Sequence, residues 1–270
     1  MENKKVSRRT FINQATIAGV ASALGVQACA RGEKSEDDTE KRALFVYGGW
    51  AGHDPEPCRD IFVPWLREEN FDVIVSDTLD SYLDENMMKS LDLVVQVWTM
   101  GEISPKQSQG LRMAIQSGVG LAGWHGGLGD SFRQDVAYQY MVGGQWVAHP
   151  GGVIDYEVNI TDRQDPITKD IKDFKMHSEQ YYMHVDPNNT VLATTTFSDE
   201  HDFWVKGCTI PVVWKKMYGK GRVFYTSLGH VAIDFDVPEA LEITKRGILW
   251  ASRSKADGPV PLVSPVYPRA

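Results

Sequence analysis

Short apolar runs alternate with amphipathic segments through the first half of the chain. The apolar runs are ALFVYGG (43–49), FDVIVSD (71–77), DLVVQVW (92–98) and VGLAGWH (119–125). Continuous runs of this length are typical of strands that are buried on both faces of a parallel sheet. Two segments between them predict helices: CRDIFVPWLREEN (58–70), interrupted by Pro64, and SPKQSQGLRMAIQSG (104–118). In the second, Ser104 is the N-cap and Gly118 marks the end. We therefore expect right-handed strand–helix–strand units.

The second half of the chain is β-rich from about Gly152 onward. Its predicted strand segments are GGVIDYEVNIT (151–161), MHSEQYYMHV (176–185), TVLATTT (190–196) and IPVVWKKMYGKGRVFYTSLGH (210–230). In the last of these, residues 219–221 predict a hairpin turn, and the apolar spacing at 238–252 predicts a final helix. The expected fold is a three-layer, doubly wound α/β domain with a mainly parallel sheet and a β-rich C-terminal half.

The first 28 residues are a predicted twin-arginine export signal. Arg8 and Arg9 precede an apolar, uncharged run at residues 15–26, which is too short to span a bilayer. The segment VQAC ends in Cys29 and resembles a lipoprotein box, and it also fits cleavage after Ala28. Because a cysteine at this one position favours lipidation, we expect a periplasmic protein or one anchored to the membrane through Cys29. A soluble exported protein is the alternative.

The rest of the chain divides into a tether, one domain and a tail. Residues 29–42 are almost wholly polar and predict a flexible tether, residues 43–253 form the domain, and residues 254–270 are a proline-rich tail. The signal holds four basic residues and one acidic residue, so its removal changes the formal charge from −8 to −11. An acidic chain without a basic cluster is not expected to bind nucleic acid. After Cys29, the remaining cysteines are Cys58 and Cys208, which allow one disulfide bond.

Four of the seven histidines occupy glycine-rich turns or the ends of predicted strands. They are His53 (GGWAGHD), His125 (GWHGG), His149 (GGQWVAHPGG) and His230 (TSLGHVAIDF). Ligands of an open parallel sheet bind at the carboxyl ends of its strands, so the turns after the first and fourth strands should lie on one edge. A lone histidine is more often structural, and only the joint pattern predicts a site. We expect His184 and His201 to be structural or exposed.

His125 stands where several α/β enzymes carry a nucleophile. Gly123, Gly126 and Gly127 flank it, and such glycines permit a strained bend that raises one side chain from the sheet. Because imidazole replaces serine or cysteine there, we expect proton transfer near neutral pH rather than covalent catalysis. The alternative is that His125 only keeps the turn in shape.

Glu179 is the candidate carboxylate of the site. In a strand through HSEQYYMH (177–184), His177, Glu179 and Tyr181 would share one face. Glu179 would then act as a general base or orient an imidazole, or it would be an exposed strand residue. Imidazoles and a carboxylate also suit zinc, manganese or iron, but no HExxH spacing occurs. No cofactor is firmly implied, and a metal-free acid/base site is favoured over a divalent metal.

Tryptophans near these turns indicate a sugar-binding surface. Trp50, Trp124 and Trp146 offer apolar faces that stack on sugar rings, although core packing explains each one equally well. Cys58 lies at the start of a predicted helix, where the helix dipole would lower a thiol pKa, and we expect it to be a packing residue.

These motifs resemble a known family, the ThuA-like (trehalose-utilisation) domains. The motifs are, in order, GGWAGHD, GWHGG, GGQWVAHP, SEQYY and PVVWKKMYGKGRVFYTSLGH. The resemblance covers residues 43–253 and implies a class I glutamine amidotransferase-like, flavodoxin-like fold. Amidotransferases carry a nucleophilic cysteine where this chain has His125, so the resemblance does not imply glutamine amidotransferase activity.

The resemblance implies carbohydrate metabolism, with trehalose and related glucosides as the usual association of the family, often beside a sugar oxidoreductase that makes 3-keto-sugars. The predicted export signal argues against a role that depends on cytoplasmic trehalose. A 3-keto group acidifies the neighbouring C–H, so histidine and glutamate would promote isomerisation, hydration or elimination of the glycosidic bond. We expect an exported acid/base enzyme; the alternatives are a non-catalytic carbohydrate-binding lipoprotein and, with least support, an amidohydrolase that uses Cys58. The candidate catalytic residues are His53, His125, His149, Glu179 and His230. The candidate substrate-binding residues are Trp50, Asp54, Trp124, Gly126, Gly127, Trp146 and Tyr181.

If Cys29 is lipidated, the Cys29→Ser variant should move from the membrane fraction to the soluble fraction. The substitution removes the residue that carries the acyl chains, and without them nothing anchors the protein stably to the membrane. Fractionation and mass spectrometry of the mature N-terminus are the measurements. Cys208→Ser is the control, since it removes a thiol from the domain and leaves the lipoprotein box intact. An unmodified N-terminus at Cys29 would contradict the prediction.

Overall fold

The computed structural model describes residues 40–260. The predicted export signal, the lipidation site Cys29, residues 29–39 of the predicted tether and residues 261–270 of the tail lie outside the described residues. Within residues 40–260, no helix is both long enough and apolar enough to cross a bilayer.

The described chain folds into strands and helices that alternate in its first half, with mostly strands in its second half. The strands are β1 (Lys41–Gly49), β2 (Phe71–Ser76), β3 (Leu93–Thr99), β4 (Gly120–Trp124), β5 (Gly144–Ala148), β6 (Val153–Ile160), β7 (Phe174–Glu179), β8 (Tyr182–Val185), β9 (Thr190–Thr196), β10 (Thr209–Tyr218) and β11 (Gly221–Thr226). The helices are α1 (Pro55–Glu68), α2 (Glu85–Ser90), α3 (Pro105–Ser117), α4 (His125–Gly129), α5 (Val136–Val142), α6 (Pro238–Ser252) and α7 (Ser254–Asp257). Short 3-10 turns lie at Ala51–His53, Leu79–Leu83, Phe203–Val205 and Ala232–Asp236.

Nine strands form one sheet in the order β2-β1-β3-β4-β11-β10-β9-β6-β7. Neighbouring strands are parallel from β2 to β11 and antiparallel from β11 to β7. β5 and β8 form a separate antiparallel pair. The predicted α/β fold class is confirmed, and the strand β11, which follows the predicted hairpin, completes the parallel half.

Helices cover both faces of the sheet, which makes three layers. Against one face, α1 and α6 bury apolar side chains that include Phe62, Leu66 and Ile243. Against the other face, α3 and α5 bury Leu111 and Met141. Burial on both faces explains why the strands of the first half are continuous apolar runs.

Local sequence signals set the limits of the first long helices. At the start of α3, Ser104 accepts a hydrogen bond from the backbone of Gln107, and the Gln107 side chain accepts one from the backbone of Ser104. Gly118, with a φ of 125°, ends this helix as predicted. Pro64, which the sequence predicts as an interruption, lies inside α1, and the helix continues to Glu68. The apolar face of α1 is packed on the core on both sides of the proline, which offsets the lost backbone hydrogen bond.

Two ends of the domain differ from the sequence prediction. β1 begins at Lys41, inside the predicted tether, because the backbone already pairs with Phe71 of β2 at this point. At the other end, the predicted tail begins with the short helix α7. The Ser254 hydroxyl accepts a hydrogen bond from the backbone of Arg222 and is buried, so the first turn of the tail is part of the domain.

The segment MHSEQYYMHV, predicted as one strand, is divided between two sheets. β7 ends at Glu179, and β8 pairs with β5. Residues 178–181 are all buried, so the alternation of a buried and an exposed face stops there. His177 is exposed and pairs with Asp155, whereas Glu179 is buried. The common face predicted for His177, Glu179 and Tyr181 therefore does not exist.

The sheet curves strongly between β4 and β7. Five strand spacings separate these strands in the sheet order, which would amount to about 24 Å in a flat sheet. Yet the side chains of His125, directly after β4, and Glu179, at the end of β7, approach to 3.1 Å. The antiparallel half must therefore bend back toward the carboxyl edge of the parallel half, as twisted sheets do.

Replacing Phe62 by alanine should lower the free energy of unfolding by about 3–5 kcal/mol, because truncation leaves a cavity. The Phe62 ring is fully buried and packs against Trp124 and Phe235. Phe203→Ala is the matched control, since that ring is 74% exposed and its loss should cost less than about 0.5 kcal/mol. Urea denaturation of both variants is the measurement, and equal losses would contradict the assigned core.

Candidate active site

Loops at the carboxyl ends of the parallel strands carry three of the histidines. His53 lies in the 3-10 turn after β1, His125 begins α4 directly after β4, and His230 follows β11. This is the edge at which ligands of parallel sheets bind. His149 follows β5 and Glu179 ends β7, so the other two groups come from outside the parallel half.

The backbone bends sharply from strand to helix at His125. This residue has a φ of 45°, a left-handed value that is uncommon outside glycine. A Cβ on Gly126 would lie 2.5 Å from the His53 ring, and a Cβ on Gly127 would lie 2.9 Å from the Cα of Val97. Close packing therefore requires both glycines. The raised His125 side chain is 1% exposed and points into a buried cluster, not into solvent.

The carboxylate of Glu179 is the centre of this cluster. Its Oε2 atom lies 3.1 Å from Nε2 of His125 and 3.4 Å from Nδ1 of His230. The same oxygen is 3.8 Å from Nε2 of His53, and Oε1 is 3.7 Å from Nε2 of His149. The structure thus brings together all five residues that the sequence marks as candidate catalytic groups.

The cluster contains a buried negative charge without a permanent positive charge beside it. In the described part of the chain, the ion-pair partners of Glu179 are the four histidines, and none is lysine or arginine. Burial opposes ionisation of Glu179, but the hydrogen bond with His125 and the neighbouring imidazoles lower its pKa to about 2. Burial, and then His125 and His230, lower the pKa of His53 to about 3. Burial and His125 also lower the pKa of His230.

Hydrogen bonds from outside the cluster fix two of its rings. Nδ1 of His125 donates to the carbonyl oxygen of Ser227 at 2.8 Å, and the hydroxyl of Tyr225 donates to the carbonyl oxygen of His125. Nδ1 of His53 lies 2.9 Å from the hydroxyl of Thr99, the last residue of β3. In both rings the other nitrogen, Nε2, is therefore directed at Glu179.

Asp234 supports the loop that carries His230. The backbone N–H of His230 donates to the Asp234 carboxylate at 2.9 Å, and the same carboxylate oxygen accepts a hydrogen bond from Ser178 at 2.6 Å. Sequence reasoning missed Thr99, Ser227 and Asp234. Nothing in the local pattern distinguishes the first two, whereas a carboxylate four positions after a histidine in a glycine turn was a usable signal for Asp234.

A pocket of about 160 Å³ reaches the cluster from the surface. It is lined by Trp50, His53, Met100, Asp130, Arg133, Trp146, His149, Glu179 and Tyr181. The Arg133 guanidinium lies 4.7 Å from the centre of the Trp146 ring and pairs with Asp130. Aromatic faces beside hydrogen-bonding groups suit a polar, ring-shaped ligand. A larger cavity of about 500 Å³ against α3 and α5 contains none of the clustered residues.

Three of the predicted substrate-binding residues line the pocket. Trp50 is 48% exposed and its ring lies across the edge of His53. Trp146 and Tyr181 form part of the wall, and Tyr181 stacks on His125 with ring centroids 3.9 Å apart. The pocket thus has aromatic surface from its outer rim to the cluster.

The other predicted substrate-binding residues do not line this pocket. Trp124 is 1% exposed and packs on Phe62, so core packing replaces the expected sugar contact. Gly126 and Gly127 are buried by the close contacts that the bend requires. Asp54 lies outside the pocket lining and accepts a hydrogen bond from the backbone of residue 232.

The cysteines of the domain are free thiols. Cys58 and Cys208 are not paired, so the disulfide that the composition leaves open is not formed. Burial raises the pKa of Cys58 to about 12, opposite to the lowering expected at a helix start. An enclosed, protonated thiol argues against the amidohydrolase alternative. His184 and His201 are exposed, within the expectation from the sequence.

Comparison with known proteins identifies a family for this chain. The ThuA family model, described as trehalose utilisation, matches residues 42–251. A comparison with curated proteins gave no match. Among solved structures, a putative ThuA-like protein from Bacteroides uniformis ATCC 8492 has a TM-score of 0.68 at 15% sequence identity, over 78% of this chain and 91% of that chain.

Two further solved structures share the fold. A putative ThuA-like protein from Parabacteroides merdae ATCC 43184 has a TM-score of 0.63 at 17% identity, over 83% of this chain and 94% of that chain. A cytoplasmic protein, STM1381 from Salmonella typhimurium LT2, has a TM-score of 0.55 at 15% identity, over 81% of this chain and 100% of that chain. At these identities the likeness is one of fold.

The free energy of unfolding, measured with a chelator present, should fall between pH 7 and pH 5. The unfolded chain protonates His53 near its ordinary pKa of about 6.5, whereas the folded chain holds this pKa at about 3. The unfolded state therefore binds more protons between these values, and His53 alone contributes a loss of about 2 kcal/mol from pH 7 to pH 5. Glu179, with a folded pKa of about 2, adds a loss only below about pH 4.3.

Urea unfolding at pH 5, 6 and 7 checks this dependence. His53→Gln should reduce the slope between pH 7 and pH 5, because glutamine does not titrate, whereas His230, whose pKa is also lowered, still contributes. His184→Gln is the matched control and should keep the slope of the unsubstituted protein, since His184 is exposed. An unchanged slope in His53→Gln would show that His53 is not held neutral by the fold.

Proposed function

Since the chain belongs to the ThuA family of trehalose utilisation, we propose that it is an enzyme that acts on a 3-keto glycoside or a related oxidised sugar by transferring protons. One observation carries this proposal: four histidines converge on a single buried carboxylate beside an aromatic-lined pocket. Titratable groups concentrated in this way, at the ligand-binding edge of an α/β sheet, are typical of acid/base sites.

The chemistry of a 3-keto sugar matches such a site. The carbonyl at C3 acidifies the C–H bond at C2, so removal of one proton begins the reaction. When a base takes the C2 proton, the electron pair of the broken C–H bond forms a double bond between C1 and C2. The glycosidic oxygen leaves with a proton from an acid. The elimination is redox-neutral and forms no bond to the protein. Isomerisation and hydration use the same kind of proton transfer.

His149 and Glu179 are the groups best placed to exchange protons with a ligand. Both line the pocket, and the His149 side chain is 36% exposed, compared with 1% for His125. The 3.7 Å between Nε2 of His149 and Oε1 of Glu179 is short enough for proton transfer after a small adjustment of either side chain. His125 and His230 lie outside the pocket lining and act on the ligand through Glu179.

Two buried polar atoms beside the pocket favour a hydroxyl-rich ligand. Nε1 of Trp146 and Nδ1 of His149 have no hydrogen-bond partner among the described residues. Leaving such atoms unpaired is costly, and sugar hydroxyls both donate and accept hydrogen bonds. Because the pocket measures about 160 Å³, it would hold the reacting edge of the sugar, and the remainder would lie against the exposed face of Trp50.

The predicted export signal indicates where this chemistry would take place, and the proposed substrate indicates which class of enzyme would precede it. The signal at residues 1–28 would direct the enzyme to the periplasm, with Cys29 as a lipid anchor. A 3-keto substrate must be made by oxidation of a sugar hydroxyl, so we propose a sugar oxidoreductase as the preceding enzyme of the same pathway. The acidic mature chain is unsuited to nucleic acid.

The alternative function is that of a non-catalytic carbohydrate-binding lipoprotein. The exposed ring of Trp50 favours this alternative as much as it favours catalysis. The histidine cluster does not, because binding of a neutral sugar needs no buried carboxylate surrounded by imidazoles. The proposal of an enzyme therefore rests on Glu179 and its partners, while the aromatic pocket supports both functions.

The purified protein should convert 3-keto-glucosides and leave the parent glucosides unchanged, with NMR detection of the products and with divalent cations added to the buffer. His149→Ala should lower kcat by at least about 100-fold with little change in sugar affinity. His184→Ala, which removes an exposed histidine, is the matched control and should keep full activity. No conversion of any 3-keto-glucoside by folded protein would contradict the enzyme, and sugar binding without conversion would establish the lipoprotein alternative.

A further inference from the structure

We propose that His53, His125, His230 and Glu179 form a binding site for one divalent transition-metal ion such as zinc. Only the part that this ion would take in the reaction rests on the proposed function. One nitrogen of each histidine and one oxygen of Glu179 lie within 4.8 Å of one another. The four residues come from β7 and from the loops after β1, β4 and β11, so the fold itself gathers them. Binding of the ion is measured without any substrate.

The distances in the cluster match those between metal ligands. Zinc bonds of about 2.0–2.1 Å place neighbouring ligand atoms of a tetrahedron about 3.3 Å apart. Oε2 of Glu179 lies 3.1, 3.4 and 3.8 Å from the facing nitrogens of His125, His230 and His53. These three separations bracket the tetrahedral value, and the ring nitrogens, which with Oε2 lie within 4.8 Å of one another, would move closer together to seat the ion.

The hydrogen bonds of His125 leave its lone pair facing a carboxylate. A carbonyl oxygen only accepts, so the neutral His125 ring carries its proton on Nδ1, which donates to Ser227. Nε2 then presents a lone pair to Oε2 of Glu179 at 3.1 Å. Two lone pairs at this distance repel each other unless a proton or a metal ion lies between them. The arrangement therefore requires a proton or a metal ion at this point.

His230 and His53 direct two further ring nitrogens at the same carboxylate oxygen. Its Nδ1 atom is buried, lies 3.4 Å from Oε2 of Glu179 and makes no hydrogen bond within residues 40–260. His53 likewise directs Nε2 at the same oxygen, at 3.8 Å, while Thr99 holds its Nδ1. In the tautomers that turn a lone pair of His53 and of His230 inward, a single metal ion would use all three lone pairs and the oxygen, whereas a proton on His125 pairs only one nitrogen with the carboxylate.

The surroundings resemble those of metal-binding histidines. Such histidines hold their second ring nitrogen in a hydrogen bond to a carbonyl, carboxylate or other polar group, which fixes the ring and its tautomer. Ser227 fixes the ring and the tautomer of His125, and the hydroxyl of Thr99 holds the ring of His53 in place. Three imidazoles and a carboxylate without a thiolate are typical ligands of zinc, iron and manganese. Calcium and magnesium prefer sites built from oxygen ligands.

The ion would divide the five clustered residues into two roles. His149 approaches the other carboxylate oxygen, Oε1, and lines the pocket, so it would stay free to transfer protons. A bound metal ion would polarise the carbonyl of a keto sugar only if that carbonyl joined it as a fifth ligand. Glu179 would hold the ion through Oε2 and face His149 through Oε1.

Calorimetric titration of the chelator-treated full-length protein with zinc chloride, manganese chloride and calcium chloride tests the site. We expect one zinc or manganese ion per chain, weak calcium binding, and an equal metal content by elemental analysis. Glu179→Gln and His230→Ala should each weaken zinc binding by at least about 100-fold. His184→Ala and His177→Ala are the matched controls and should bind zinc as the unsubstituted protein does, since both histidines are exposed.

Circular dichroism of the chelator-treated variants separates a lost ligand from a lost fold. A folded Glu179→Gln protein that still binds one zinc ion with unchanged affinity would overturn the site, and so would the absence of zinc binding by the unsubstituted protein. Zinc binding at this cluster without conversion of 3-keto-glucosides would leave the metal site standing and overturn the proposed function. Full activity in chelator would overturn the metal's part in the reaction and leave the proposed function standing.

Discussion

A buried carboxylate without a lysine or arginine partner is the constraint on which this site depends. Removing a charge from water is costly unless opposite charge or hydrogen-bond donors replace the solvent. In the described part of the chain, imidazoles are the ion-pair partners of Glu179, and burial keeps two of them, His53 and His230, from taking a proton easily. The contact between His125 and Glu179 is therefore satisfied only with a proton or a metal ion between the two side chains.

The two halves of the sheet have different tasks in meeting this constraint. The parallel half places its loops on one edge, so that His53, His125 and His230 meet without long connections. The antiparallel half supplies the anion, because its curvature carries the end of β7 across the distance that a flat sheet would leave. Ser178 and Asp234 then connect β7 to the loop of His230, which ties the two halves together at the cluster.

The sequence predicts the parallel half well and the position of Glu179 poorly, for a physical reason. Continuous apolar runs report burial on two faces, and glycine turns report sharp bends, so both are local signals. The burial of residues 178–181 depends instead on the curvature of nine strands, which no local period records. Trp124 shows the same limit: a tryptophan beside a glycine-flanked turn has the same local pattern whether it faces a ligand or, as here, the core.

The bend at His125 has the geometry of a nucleophile turn but a different physical consequence. A nucleophile must be open to its substrate, whereas the His125 ring is 1% exposed, with one nitrogen held by Ser227 and its face covered by Tyr181. A side chain held at one nitrogen and on one face is poorly suited to attack and well suited to hold a charge in one place. Gly126 belongs to the same design, because a Cβ there would strike the His53 ring at 2.5 Å and push the imidazoles apart. The strain at this turn therefore maintains the compactness of the cluster, on which any chemistry of Glu179 depends.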